Sequence, residues 1–161
     1  MKELQYTFAT KEDIPLILDF IKELADYAKL LHEVVATEEV LTKNLFGEQK
    51  RAEVIFGIFE GKKVSFALFF HNFSTFLGKP GMYLEDLYVK PEFRGHGFGK
   101  QMFVFLAQIA TERDCDRIDW WCLDWNKKAN DFYLSLGAKR MEDWTVQRLE
   151  KSAIKNLTLL K

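Results

Sequence analysis

The chain has 161 residues, a hydrophobic fraction of 48% with 15% aromatic side chains, and a formal charge of −1 from 23 basic and 24 acidic residues. That length and apolar content suit one domain, spanning 1–161, with a core of its own, and exclude a disordered chain. The balanced charge leaves no electrostatic footprint for nucleic acid or an anionic membrane, and no stretch approaches the ~20 apolar residues of a bilayer span. Cys115 and Cys122 form no metal-ligand pattern with the scattered His32, His71 and His96, so no metal is expected. Met1 to Thr10 holds no signal-like apolar run, and two reduced thiols in a cytosolic protein are the expectation.

In chain order, Leu4 to Ala9 alternates weakly and predicts a short strand. Thr10-Lys11-Glu12-Asp13 resembles a capping box with Asp in the usual Glu/Gln place, ahead of an apolar helical stripe from Ile14 to Ala25 that fades around Leu31. Thr37 to Phe46 predicts a second helix. Ala52 to Phe59 and Val64 to Phe73 read as an antiparallel hairpin about the turn Glu60-Gly61-Lys62-Lys63. A loop with Gly78, Pro80 and Gly81 precedes a strand from Met82 to Val89, which Pro91 ends. Lys100 to Glu112 has helical spacing, and Arg117 to Leu123 is rich in aromatic and β-branched residues, as in a strand. Asn126 caps a helix to about Leu136, stopped by Gly137. A strand near Val146 to Leu149 and a helix from Ser152 to about Leu160 complete the reading. Strand, helix and strand from 82 to 123 imply a parallel crossover in a mixed sheet. The class is α/β, or α+β in stricter nomenclature.

The most informative segment is Val89-Lys90-Pro91-Glu92-Phe93-Arg94-Gly95-His96-Gly97-Phe98-Gly99-Lys100, three alternating glycines between a strand and an amphipathic helix. Glycine lets the backbone turn tightly and approach a ligand, and the first amides of a helix lack internal partners, so the turn suits phosphate oxygens. Arg94 stands at its mouth, placed to add charge-assisted contacts. Two other phosphate loops are excluded by their spacing. Counted from Gly95, the Rossmann pattern would need glycine where Lys100 stands. The P-loop would need four residues between glycines, then Lys-Ser/Thr; here Gln101 follows Lys100.

Arg94-x-x-Gly97-x-Gly99 resembles the Arg/Gln-x-x-Gly-x-Gly/Ala signature of the GNAT acetyltransferases. Leu84-Glu85-Asp86-Leu87-Tyr88-Val89 looks like the central strand of that family, and Asn126 with Asn130-Asp131-Phe132-Tyr133-x-x-x-Gly137-Ala138 resembles its second cofactor motif. Ile21-Lys22-Glu23-Leu24-Ala25-Asp26-Tyr27 and Trp125-Asn126 bring the chain near the spermidine/spermine (diamine) branch, from which Ala28 and Lys29 to Ala36 depart.

The resemblance implies a GNAT fold, with a mostly antiparallel sheet and a parallel β-α-β cofactor crossover flanked by helices. It implies acetyl-coenzyme A as co-substrate, its pyrophosphate at Arg94, Gly95, His96, Gly97, Phe98, Gly99 and Lys100. The pantetheine would lie along Leu87, Tyr88 and Val89 like an added strand, with Asn126 and Ala129 at the cofactor arm. An alkylamine with a pKa of ~10 must lose a proton before it attacks a carbonyl. Glu85 is the candidate base, acting through water, and Tyr133 the candidate proton donor to the departing thiolate. Tyr27, Glu85 and Asp86 are the candidate acceptor residues, within an acidic surface of Glu23, Asp26, Glu33 and Asp86. Cys122 has no histidine partner in sequence and reads as structural. A small-molecule amine acceptor and a homodimer follow by resemblance. A peptide acceptor, or a coenzyme A-binding module without catalysis, stays open at this point.

Overall fold

The computed structural model describes residues 2–160, which form two compact units, one ending at Trp121 and one beginning at Cys122. In the first unit, β1 (Gln5–Phe8) leads through a 3-10 turn (Lys11–Asp13) into α1 (Ile14–Tyr27). A second 3-10 turn (Leu31–Glu33), α2 (Glu38–Phe46), β2 (Glu53–Phe59), β3 (Lys62–Ser74), β4 (Lys79–Val89), α3 (Phe98–Glu112) and β5 (Ile118–Asp119) follow. The five strands form one sheet in sequence order, antiparallel except for β4 and β5, which run parallel on either side of the α3 crossover. The mixed sheet with flanking helices is the expected α/β, GNAT-like arrangement.

Local chemistry accounts for these elements. The Asp13 carboxylate accepts the Thr10 backbone N–H at 3.0 Å, the expected box, though it opens a 3-10 turn that feeds α1. The hairpin between β2 and β3 is tighter than the four-residue turn read from sequence. Phe59 pairs with Lys62 across Glu60 and Gly61, both at positive φ (50° and 74°), the geometry that matches strand twist.

The two faces of the sheet carry different cores. On one, Phe20 of α1 packs on Phe66, Phe56 and Tyr88 at ring separations of 4.9, 5.9 and 6.3 Å, joined by Ile14, Ile17, Val54 and Leu45 of α2. On the other lies α3, which buries Phe98, Met102, Phe103 and Leu106. Phe98 meets Phe59 at 5.1 Å, and the Arg113 guanidinium just past the helix lies 5.6 Å from the Phe69 ring. Gln101 clamps β1 to the first turn of α3. Its side-chain oxygen accepts the Leu4 N–H at 2.9 Å, its amide donates to the Lys2 carbonyl at 2.8 Å, and its own carbonyl accepts the Tyr6 hydroxyl at 3.0 Å.

In the second unit, α4 (Lys127–Ser135) and α5 (Lys151–Leu157) are joined by 136–150, which hold neither helix nor strand. The strand expected near Val146 to Leu149 is therefore corrected: a strand requires a ladder partner, and no described segment pairs there. The strand read at Arg117 to Leu123 contracts to Ile118–Asp119, since only those residues pair with β4. The first helix ends at Tyr27 rather than near Leu31, and β3 and β4 extend into the loop expected around Gly78.

Gly57 sits where the sheet meets α3. A Cβ there would stand 2.3 Å from Ser65 Oγ, 2.8 Å from Leu4 Cδ1 and 2.9 Å from Met102 Sδ. Gly57→Ala is expected to cost about 1–3 kcal/mol through overpacking, read as a lower urea midpoint; an unchanged midpoint would refute this account of the packing.

Candidate active site

The turn between β4 and α3 begins with a 3-10 turn over Pro91–Phe93, closed by Phe93 N–H to the Lys90 carbonyl (2.9 Å) and Arg94 N–H to the Pro91 carbonyl (3.2 Å). Gly95 and Gly97 then adopt φ of 80° and 81°, a region that side-chain-bearing residues rarely enter. The Gly97 carbonyl accepts the Gln101 N–H at 3.1 Å, starting the helical ladder. Among the described residues, the amides from Gly95 to Lys100 donate to no protein acceptor. They stand at the positive end of a 15-residue helix, a row of donors suited to phosphate oxygens. Gly99 lies within the helix and has no positive φ. Phe98 is buried at 1% exposure, so its backbone, not its ring, is what the turn offers.

Upstream, β4 pairs with described strands on both sides at Met82 and Tyr83. Met82 and Tyr83 pair with Ile118 and Asp119; from Leu84 to Val89 the β5-side edge of β4 pairs with no described strand. The β3 side carries a register shift: Leu68 pairs with Asp86 and Phe69 with Leu84, so Glu85 is an extra residue in the ladder, a β-bulge. The bulge inverts the alternation of β4. Leu84 shares a face with Phe69, whereas Asp86 shares one with Leu68 and Tyr88 one with Phe66, on the α1 side.

The electrostatic consequence falls on Asp86. Its carboxyl has no hydrogen-bond or ion-pair partner among the described residues, and burial, reinforced by the adjacent Glu85, pushes its pKa up to about 6. Glu85 itself is exposed. The acidic surface read from sequence is thus divided: Glu23 is held by Lys90 at 2.8 Å, while Asp86 faces no cation. Tyr27, at the end of α1, lies beneath the Arg94 guanidinium, with Cζ 4.8 Å from the ring centroid and 5.1 Å from that of Tyr88. Arg94 also donates Nε–H to the Val89 carbonyl at 2.9 Å. Its side chain turns toward α1 and β4, an orientation that motif reading did not find.

In the second unit, the expected cap is formed: Asn126 Oδ1 accepts the Ala129 N–H at 3.2 Å. Asn130 Nδ2 donates to the Leu123 and Asn126 carbonyls, and Gly137 has φ of 89°, as a helix-ending residue should. Tyr133 lies in α4, its carbonyl accepting the Leu136 and Ala138 amides at 3.0 and 3.2 Å. The Ala129 amide is committed to the cap.

A family model described as the acetyltransferase (GNAT) family matches residues 20–138. Thialysine N-epsilon-acetyltransferase of Bos taurus is 37% identical, over 92% of this chain and 94% of its own length. L-ornithine N5-acetyltransferase of Arabidopsis thaliana is 28% identical, over 94% of this chain and 86% of its own. Among solved structures, an integron cassette protein from the mobile metagenome of V. cholerae superposes with a TM-score of 0.80 at 26% identity, covering 98% of this chain and 99% of that one.

Because Asp86 is disfavoured as an anion only in the folded protein, its stabilising contribution is full at low pH and is lost as pH rises through about 6. Asp86→Asn is expected to raise stability at pH 7 by about 2 kcal/mol and to leave it nearly unchanged at pH 3.5, as measured by urea unfolding at both values. A variant no more stable than the parent at pH 7 would contradict the assignment.

Proposed function

The chain belongs to the GNAT acetyltransferase family, and on that premise we propose that it transfers an acetyl group from acetyl-coenzyme A to a primary amine of a small molecule. The observation that carries this reading is the sequence of features along one stretch of backbone: the adjacent carboxyls of Glu85 and Asp86, then a strand edge with no partner among the described residues, then amides with no acceptor among them. Anionic side chains attract an ammonium group; unpaired amides attract phosphate. A diamine, polyamine or lysine-like amino acid fits the first requirement. The two relatives' names place the acetylated nitrogen at the ε and N5 positions of amino acids, which favours the amino-acid side-chain amine.

The residues present suit acetyl-coenzyme A. The amides from Gly95 to Lys100, including those of His96, Phe98 and Gly99, would hold its pyrophosphate, with Arg94 beside them. The open edge of Leu87, Tyr88 and Val89 would bind the pantetheine amides; Asn126 and Ala129 are assigned to the cofactor by the resemblance to the family's second cofactor motif. Bound there, the co-substrate supplies an activated acetyl thioester. Glu85 accepts the ammonium proton at a carboxylate oxygen, through a water, and so frees the amine lone pair. Asp86 and Tyr27 orient the acceptor. Tyr133 holds at Oη the proton that the departing thiolate requires. Both substrates are bound together, so proximity replaces a covalent enzyme intermediate.

The same proposal comprises one acetyltransferase domain, a homodimer and a cytosolic location. The two free thiols, Cys115 and Cys122, are compatible with a reducing compartment. Exposed apolar side chains at Val146, Leu149 and Ile154 offer surface for a second copy.

Coenzyme A release from acetyl-coenzyme A, measured with putrescine, spermidine, spermine, lysine, ornithine, thialysine and a lysine peptide, tests the reading. Turnover is expected with an amino-acid or diamine acceptor, reduced about 100-fold or more in Glu85→Gln and in Tyr133→Phe. Tight acetyl-coenzyme A binding without turnover of any amine would overturn it, and turnover of the peptide alone would move the acceptor to a protein.

A further inference from the structure

Two cations on one short turn grip one face of α1. Lys90 and Arg94 flank the 3-10 turn at Pro91–Phe93; Glu23 and Tyr27, one helical turn apart, receive them. Lys90 Nζ lies 2.8 Å from Glu23 Oε1 and 5.0 Å from the Phe20 ring centroid, in a half-buried pair with side-chain exposures of 24% and 35%. Arg94 Cζ lies 4.8 Å from the Tyr27 ring centroid and 5.1 Å from that of Tyr88, with Nε bonded to the Val89 carbonyl. The turn carrying these cations is tied down in its own right, with Lys90 N–H donating to the Val64 carbonyl at 3.0 Å.

The position of this contact gives it significance. Arg94 immediately precedes Gly95, where the acceptor-free amides begin. Tyr27 ends α1, after which the chain turns through Lys29 at φ of 62°, with Leu30 N–H returning to the Ala25 carbonyl at 2.8 Å. A planar guanidinium that meets two rings and a carbonyl has a defined orientation, which an ammonium on a flexible stem lacks.

We propose that Arg94 is a positioning residue that couples the two substrate sites: through its contact with Tyr27, occupancy of the phosphate cradle tightens binding of the acceptor amine. This rests on the reading above for the identity of the two ligands. An anion on the amides from Gly95 onward restrains the backbone that carries Arg94. Arg94 then restrains Tyr27, and the amine meets a wall whose ordering is already complete. Coupling is reciprocal, so the amine tightens coenzyme A to the same degree.

Calorimetric titration of the accepted amine into the full chain, with and without saturating coenzyme A, reads the coupling without turnover. An increase in amine affinity of about fivefold is expected on adding coenzyme A. Arg94→Lys keeps the charge and loses the plane; it should abolish the increase and raise the amine KM at saturating acetyl-coenzyme A by a larger factor than it lowers kcat. Tyr27→Leu should also abolish the increase, the double variant should lose no more than either single one, and Tyr27→Phe, which keeps the ring, should keep the increase on adding coenzyme A. Additive effects, or an undiminished increase in Arg94→Lys, would overturn the proposal. If no amine binds at all, the acceptor assignment has failed instead, and coenzyme A affinity still decides the coupling. Tyr27→Leu should weaken that affinity in the parent and not in Arg94→Lys; equal weakening in both would overturn it. Unfolding midpoints of all variants separate these effects from loss of fold.

Discussion

The first unit depends on a single surplus residue in β4. Glu85 has no place in the ladder with β3, and the alternation of the strand reverses around it. Before the bulge, Leu84 faces the same side as Phe69. After it, Asp86 and Tyr88 face α1. An unbroken strand would keep residues 84, 86 and 88 on one side. Because of the reversal, Tyr88 closes the α1 core beside Phe20, and a carboxyl is carried into a desolvated position with no cation beside it among the described residues. That Asp86 holds its proton until about pH 6 is therefore a consequence of backbone register.

The segment after β4 uses backbone and side chains for separate purposes. Among the described residues, its amides from Gly95 to Lys100 lack protein acceptors because Gly95 and Gly97 hold left-handed conformations and the helical ladder starts at Gln101. Two of its cationic side chains point elsewhere: Lys90 meets Glu23, and Arg94 lies against Tyr27 and Tyr88. A positive charge near a phosphate turn invites the reading that it neutralises the ligand. Here the ring contacts and the bond to the Val89 carbonyl hold the guanidinium against the protein.

Much of this was legible in the order of residues because the signals are local. The box at Thr10 and Asp13, the Asn126 cap and the stop at Gly137 each need only a few neighbouring atoms, and so does a hairpin turn beginning at Glu60-Gly61, though not its two-residue length. Long-range pairing was less accessible. Arg117 to Leu123 has strand composition throughout, yet only Ile118 and Asp119 find a partner. Val146 to Leu149 also reads as a strand and pairs with no described strand. The adjacent acidic residues Glu85 and Asp86 inside an otherwise apolar strand were the one trace of the bulge, since regular alternation would bury one of them.

The order of residues alone specified most of the elements from β1 to α4, the phosphate-type turn and the residues that resemble an acetyltransferase site, because propensity, capping and glycine geometry act over a few residues. Tertiary structure decided which carboxyl is desolvated, where β4 loses its neighbour and what the Arg94 guanidinium touches. Those outcomes depend on register between β3 and β4 and on the packing of α1 against the sheet, contacts between residues far apart along the chain. Burial and electrostatic environment follow from such contacts, and no local pattern specifies them.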